Sequence, residues 1–327
     1  MTINKWTEDR LAAAGLATLD AGPDHQTLHS WSLEYNYPDV WHAAGHRFDL
    51  ASSLPNVQAI AAATDAASLR FVTPDDADWP GWLRSEISPF GLWVAGDGSD
   101  NIAASLTNTV AFTGPDTPSQ DARELAWRLT EQLVDAARPQ LVTIVATDAG
   151  GIDTSVRTSA LHAETFGHAA VHYAIIRPAF PDGPAPTFST TDLNIALTPP
   201  GRPVDPNTQD LARALVGQLA STVVLVEPDP GNRTVNAGAF TRQSVIAVKG
   251  VSDQRLKWPR LPITSGTQIW DRISRNNPAL SIQAAASIAS QALAPQSMQS
   301  AATVPQRNTP TNPMPAQPIA NAHPLTM

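Results

Sequence analysis

Two adjacent glycines, Gly150 and Gly151, stand between an apolar run, QLVTIVAT (140–147), and a segment with helical spacing, DTSVRTSALHAETF (153–166). Small residues where a strand hands over to a helix let backbone N–H groups approach a ligand closely. The helix start adds unpaired donors and a partial positive charge, which suits a phosphate. Asp153 suits an N-cap accepting from the N–H groups of the next turn. The plain alternative is a tight turn before a capped helix, and the residues alone leave both readings open. Two histidine pairs, His25/His29 and His42/His46, have the four-residue spacing that sets two imidazoles on one helix face. The zinc-protease pattern needs Glu after the first His, and Ala43 stands there, so these read as structural or surface histidines and no metal site is expected. No Ser/His/Asp set, Walker loop or metal cluster stands out, so the residues single out no catalytic group and no cofactor. The absence of cysteine excludes disulfides, Cys-based zinc sites and thiol catalysis, and fits a reducing cytoplasm.

The elements that must position these residues follow from the apolar patterning. Residues 1–70 read as a small helical domain, with DRLAAAGLATL and LPNVQAIAAATDAASL as its clearest helices. Residues 71–100 read as a turn-rich connector feeding a short strand, GLWVAG. From 107 to about 275 strands alternate with helices: TNTVAFTG, QLVTIVAT, AAVHYAII, DLNIAL, TVVLVE and SVIAVK are strands. The segments 119–137, 153–166, 206–220 and 265–274 are helices, the first carrying Leu125, Leu129 and Leu133 four apart. Continuous apolar strands alternating with helices predict an α/β fold: a Rossmann-like, mostly parallel sheet over 71–277 with helices on both faces. Residues 278–327 form an Ala/Pro/Gln-rich tail, with seven prolines and one charged residue from Pro295 onward, and are expected to be disordered. The nine tryptophans are expected in the core. The opening residues lack an uninterrupted apolar run and no span reaches about 18 apolar residues, so neither a secretory signal nor a membrane segment is expected. With 327 residues and a formal charge of −9, broad electrostatic attraction to nucleic acid is disfavoured, and any such binding needs a local basic patch.

GGIDTSVRTSAL resembles the GID-x-x-x-H-x-x-AL element of the DNA-processing protein A (DprA/Smf) family. RFVTPDDADWPGWL is similar to the segment before that family's sheet, and SPFGLWVAGDG to its P-x-x-LWV-x-G strand. VAFTGPDTPS, ending at Ser119, sits where the family has VAIVGSR-x-x-S. LTPPGRPV resembles the SE-x-PPG-x-x-P turn, ASTVVLVE the strand ending VVVEA, SVIAVKG the AVPG strand end and SGTQIW the SxGxN-L-I helix start. The ordered set spans residues 70–273.

The departures concentrate on charge. Gly114-Pro115-Asp116 replaces GSR, exchanging the family's arginine for a carboxylate and removing a backbone donor. Ala146-Thr147-Asp148-Ala149 replaces SGxA, and Arg157 replaces the GID histidine. Ala212-Arg213-Ala214 stands at RNR, Asn232-Arg233 at the SG after the glutamate, and Lys249 turns AVPG into AVKG. The Pro-rich tail stands where the family has a winged helix. The resemblance implies a non-enzymatic, cytoplasmic protein that binds single-stranded DNA and helps load the RecA recombinase in transformation or recombination, with a homodimer as a further partner. Its ligand residues would be Gly114, Asp116, Ser119, Gly150, Gly151, Asp153, Arg157, Arg213, Asn232, Arg233 and Lys249. Asp116, Asp121, Asp148 and Asp153 are expected to crowd the strand ends and make the phosphate site degenerate and DNA binding weak. Arg157, Arg213, Arg233 and Lys249 either converge to offset them or are solvated surface charge. The alternative is a Rossmann-like nucleotide sensor or protein scaffold that has lost DNA binding.

Overall fold

Alternate residues of each central strand go to opposite faces, and both faces are apolar, so the sheet must be covered twice. A computed structural model describes residues 5–19, 25–47, 56–83, 88–138, 140–148, 150–165, 171–180, 192–204, 206–228, 234–235, 245–248 and 263–276. Four helices open the chain: α1 (Glu8–Ala17), α2 (His25–Ser32), α3 (Tyr37–Arg47) and α4 (Val57–Ala66). Then follow β1 (Arg70–Val72), β2 (Leu92–Gly96), α5 (Ile102–Ser105), β3 (Thr109–Thr113), α6 (Gln120–Ala137), β4 (Val142–Thr147) and α7 (Ile152–Thr165). The remaining elements are β5 (Val171–Ala179), β6 (Asp192–Thr198), α8 (Pro206–Leu219), β7 (Thr222–Leu225), β8 (Val245–Ala247) and α9 (Gly266–Asn276).

The eight strands lie in the order β1-β2-β6-β5-β4-β3-β7-β8. The six from β6 to β8 are parallel, and β2 runs antiparallel to both β1 and β6. This is the mostly parallel α/β sheet the alternation predicts, with one strand, β1, formed inside the segment read as a connector. Val110 and Phe112 of β3 pack with Ala126, Leu129 and Leu133 of α6, Val156 of α7 and Ile269 of α9. Ala111, between them, faces the other way, into a core with Leu215, Val216 and Leu219 of α8. A third core joins α1–α4 to Phe71 and Trp93 of the antiparallel edge and to Ala196 of β6. Trp93 is fully buried there and its indole N–H donates to Thr64 Oγ1 at 2.9 Å. Trp270 packs against the α6–α7–α9 core.

The expected histidine pairs land on α2 and α3. His29 is buried and stacks on Phe90 at 4.0 Å, while His42 and His46 are exposed. The tail from 278 onward, with its Ala-rich start, lies outside the described residues. Among the described residues no helix is long and apolar enough to cross a membrane.

The chain leaves β3 through α6 toward β4, β5 and β6, then returns through α8 to β7 on the other side of β3. The strand order therefore reverses between β3 and β7, and the carboxyl ends of these strands open the crevice where ligands of such sheets bind.

Candidate functional site

Past β3 the chain runs through Gly114, Pro115 and Asp116 to Ser119, which caps α6 by accepting from Ala122 N–H at 3.2 Å. The N–H of Ser119 donates to Glu227 Oε2 at 3.0 Å. Glu227 lies just past β7, so the protein's own carboxylate occupies the N-terminus of α6, where the aligned peptide dipoles favour an anion. The sequence marks Glu227 only as the end of a strand; its role depends on β7 lying beside β3.

The glycine pair divides. Gly151 has φ of +81°, the left-handed region that an L side chain rarely enters. A Cβ there would lie 3.1 Å from the Asp116 carbonyl oxygen and 3.4 Å from that of Pro115, whereas one at Gly150 would meet nothing within 4 Å. Gly151 thus lets the β4–α7 turn close on the β3–α6 loop. The groups nearest it are carbonyl oxygens, acceptors that repel phosphate rather than bind it. The turn reading accounts for Gly151, and Gly150 lies on open surface.

Asp153 is not the N-cap that the sequence predicts. It sits within the first turn of α7 and reaches backwards, accepting from Thr147 N–H at 3.0 Å and from the Thr147 hydroxyl. It therefore ties the end of β4 to the start of α7. Burial raises its pKa from 3.8 to about 6; the Thr147 hydrogen bonds and the charges of Arg213 and Arg157 oppose that rise. Arg157 comes from α7 on one face of the sheet and Arg213 from α8 on the other, and the charges of these two of the four expected basic residues both act on Asp153. Asn232, Arg233 and Lys249 lie outside the described residues.

The aspartates do more than crowd the strand ends. Asp116 pairs with Arg213 Nη2 at 2.5 Å, and Asp210 lies 3.9 Å from Arg213 Nη1. Asp148, just past β4, pairs with Arg177 Nη1 of β5 at 2.7 Å. Asp121 sits exposed in the first turn of α6. Acids at this end therefore pair with Arg213 and Arg177. Arg177 escapes sequence reasoning because it continues the apolar run AAVHYAII; a charge at the end of a buried strand is the signal that finds it. Asp192, opening β6, is raised by burial, against the charges of Arg157, His172 and Arg177. Among the described residues no three His, Cys, Asp or Glu side chains are grouped to hold a metal ion.

No family model matches this chain, and no curated protein does. Among solved structures it resembles DNA processing protein A (DprA) from Streptococcus pneumoniae, with a TM-score of 0.54 and 16% identity over 82% of this chain and 98% of that one. That likeness shows the fold. It also resembles, at a TM-score of 0.42 and 15% identity over 69% of this chain and 99% of the other, a structure described as giving insight into the single-stranded DNA binding mode of DNA processing protein A from Helicobacter pylori.

Proposed function

We propose that this chain is a divergent member of the DNA-processing protein A family that binds single-stranded DNA, weakly, across the carboxyl ends of its parallel strands. The observation that carries this reading is that Arg157 of α7 and Arg213 of α8 both act by their charge on Asp153 in the first turn of α7, Arg213 also pairing with Asp116 past β3. A backbone phosphate entering between them would meet two guanidinium groups, each suited to bidentate contact. The DprA-like fold and the ordered set of family-like segments support the same reading. The site is degenerate for a physical reason: Glu227 stands at the N-terminus of α6, and Asp116 competes for Arg213. The protein acts by binding rather than catalysis, in the cytoplasm, as a homodimer that assists RecA on single strands.

Fluorescence anisotropy with a labelled oligo-dT, repeated across a salt series, tests this. Two or three phosphate contacts at about −0.7 each give a slope of log affinity against log salt between about −1.4 and −2.1. Arg157→Ala should weaken binding by about five-fold, the loss of one charge-assisted contact. A slope steeper than about −4 would show a basic surface far larger than this one. No binding at about 50 mM salt would favour a scaffold that has lost DNA, and saturable binding of a mononucleotide instead would favour a nucleotide sensor.

A further inference from the structure

Arg177 stands one strand beyond the Asp153 site. Its Nε donates to Asn194 Oδ1 at 3.3 Å and its Nη1 to Asp148 Oδ2 at 2.7 Å. Asn194 is buried on β6, and its Nδ2 donates to the Asp192 carbonyl oxygen at 3.1 Å, which fixes its amide so that Oδ1 faces Arg177. The guanidinium is therefore oriented from behind by a buried side chain before any ligand arrives. Asp148, in front, is more than a third exposed, and among the described residues its carboxylate accepts a single hydrogen bond, from Arg177. An exposed pair of this kind adds little to stability.

The geometry points to Arg177 as a second phosphate-binding residue for a nucleic-acid backbone, with Asp148 as an internal carboxylate that holds its Nη1 until a phosphate displaces it. This deepens the single-stranded-DNA reading and rests on it. Arg177 belongs to the same charged cluster: the charges of Arg213 and Arg157 act on Asp153, and those of Arg157 and Arg177 on Asp192. A backbone phosphodiester exchanging with Asp148 carries the same single negative charge and also offers two terminal oxygens, so it can take the carboxylate's place on the guanidinium. Asn194 is a positioning residue here, since it acts only through Arg177.

The test compares the full chain with Asp148→Asn, Arg177→Gln and the double variant, using labelled oligo-dT and inorganic polyphosphate as separate probes. Asp9→Asn, on the exposed face of α1, controls for the change in net charge. Asp148→Asn should tighten both probes about three-fold and steepen the oligo-dT salt slope by about 0.7, one further phosphate contact. Arg177→Gln should weaken binding about three-fold in either background and abolish that gain. A gain no larger than that of Asp9→Asn, or one that survives in the double variant, overturns the assignment. Should Asp148→Asn melt early, Arg177→Gln alone decides: unchanged affinity overturns it. The expected pattern with polyphosphate and no binding of oligo-dT at all would keep the subsite and defeat the DNA reading. Oligo-dT binding indifferent to all these changes would keep the DNA reading and defeat the subsite.

Discussion

Arginine–aspartate pairs at the antiparallel edge and at the strand ends are built differently. At the antiparallel edge, Arg70 of β1 grips Asp78 through two bonds of 2.7 and 2.6 Å and donates also to the Ser99 carbonyl at 2.7 Å. Asp78 in turn accepts the Ile102 N–H that opens α5. Nearby, Arg10 of α1 pairs with Asp76 and donates to the Phe71 carbonyl, while Asp76 accepts from Thr73. The Arg70 and Asp78 side chains are only 16% and 14% exposed. Burial works against the charge on Asp78, but the Arg70 and Ile102 hydrogen bonds outweigh it and leave its pKa below 3.8. At the strand ends, Arg213 and Asp116 share one short contact and are 34% and 73% exposed. The same two residue types make a clamp where the acceptor sites are filled from several elements, and an exchangeable contact where most of the carboxylate faces water.

Breaking the clamp should have the largest effect. Arg70→Ala leaves a partly buried carboxylate without its cation and should cost about 3 kcal/mol, visible as a fall of several degrees in the thermal midpoint. Its effect on oligo-dT affinity per folded molecule should be small, which separates the two regions. An affinity loss matching that of Arg157→Ala would merge them.

Asp153 sharpens the contrast because its folded pKa is raised, not lowered. Between about pH 4 and 6 the folded state holds a proton that the unfolded chain has released, so this group's contribution to stability falls as pH rises through that window. Above it the buried charge costs the wild type about 2–3 kcal/mol relative to low pH. Asp153→Asn keeps an acceptor for Thr147 and removes the charge, so its melting midpoint should change less between pH 5 and pH 7.5 than that of the wild type. Oligo-dT binding by the wild type should also tighten as pH falls toward 5.5, since protonation releases the field on Arg157 and Arg213. Equal pH profiles for both proteins would show that Asp153 does not titrate in this window.

Gly151→Ala should cost about 1–2 kcal/mol, because it places a Cβ at positive φ against the Asp116 carbonyl. Gly150→Ala should be neutral within about 0.5 kcal/mol. A melt of each variant decides, and equal losses would mean that the turn needs both glycines. The smallest stability effect belongs to the exchangeable contact: Asp116→Asn should change stability by less than about 1 kcal/mol while tightening oligo-dT binding about three-fold. A midpoint loss like that of Arg70→Ala would place Asp116–Arg213 with the clamps.

Local pattern determined much of this protein. The continuous apolar runs VAFT and TIVAT and the leucines at 125, 129 and 133 specify strands and a helix by which residues must leave water. Ser119 caps α6 through a bond to its own neighbour, Ala122. Gly151 answers a constraint of its own backbone. All of these act over a few residues, so they can be read in order along the chain. Which acid meets which base was settled only by the tertiary structure. Arg213 reaches Asp116 across 97 residues, Glu227 reaches Ser119 across 108, and Arg177 reaches Asp148 across 29. Those meetings depend on strand order, with β7 returned to the side of β3 and β5 laid against β4. Asp153 shows the limit at close range: its spacing fits a cap, yet burial against Thr147 turned it back toward the strand. Coulomb attraction and desolvation depend on distance in space and on exposure to water, and neither is a function of separation along the chain.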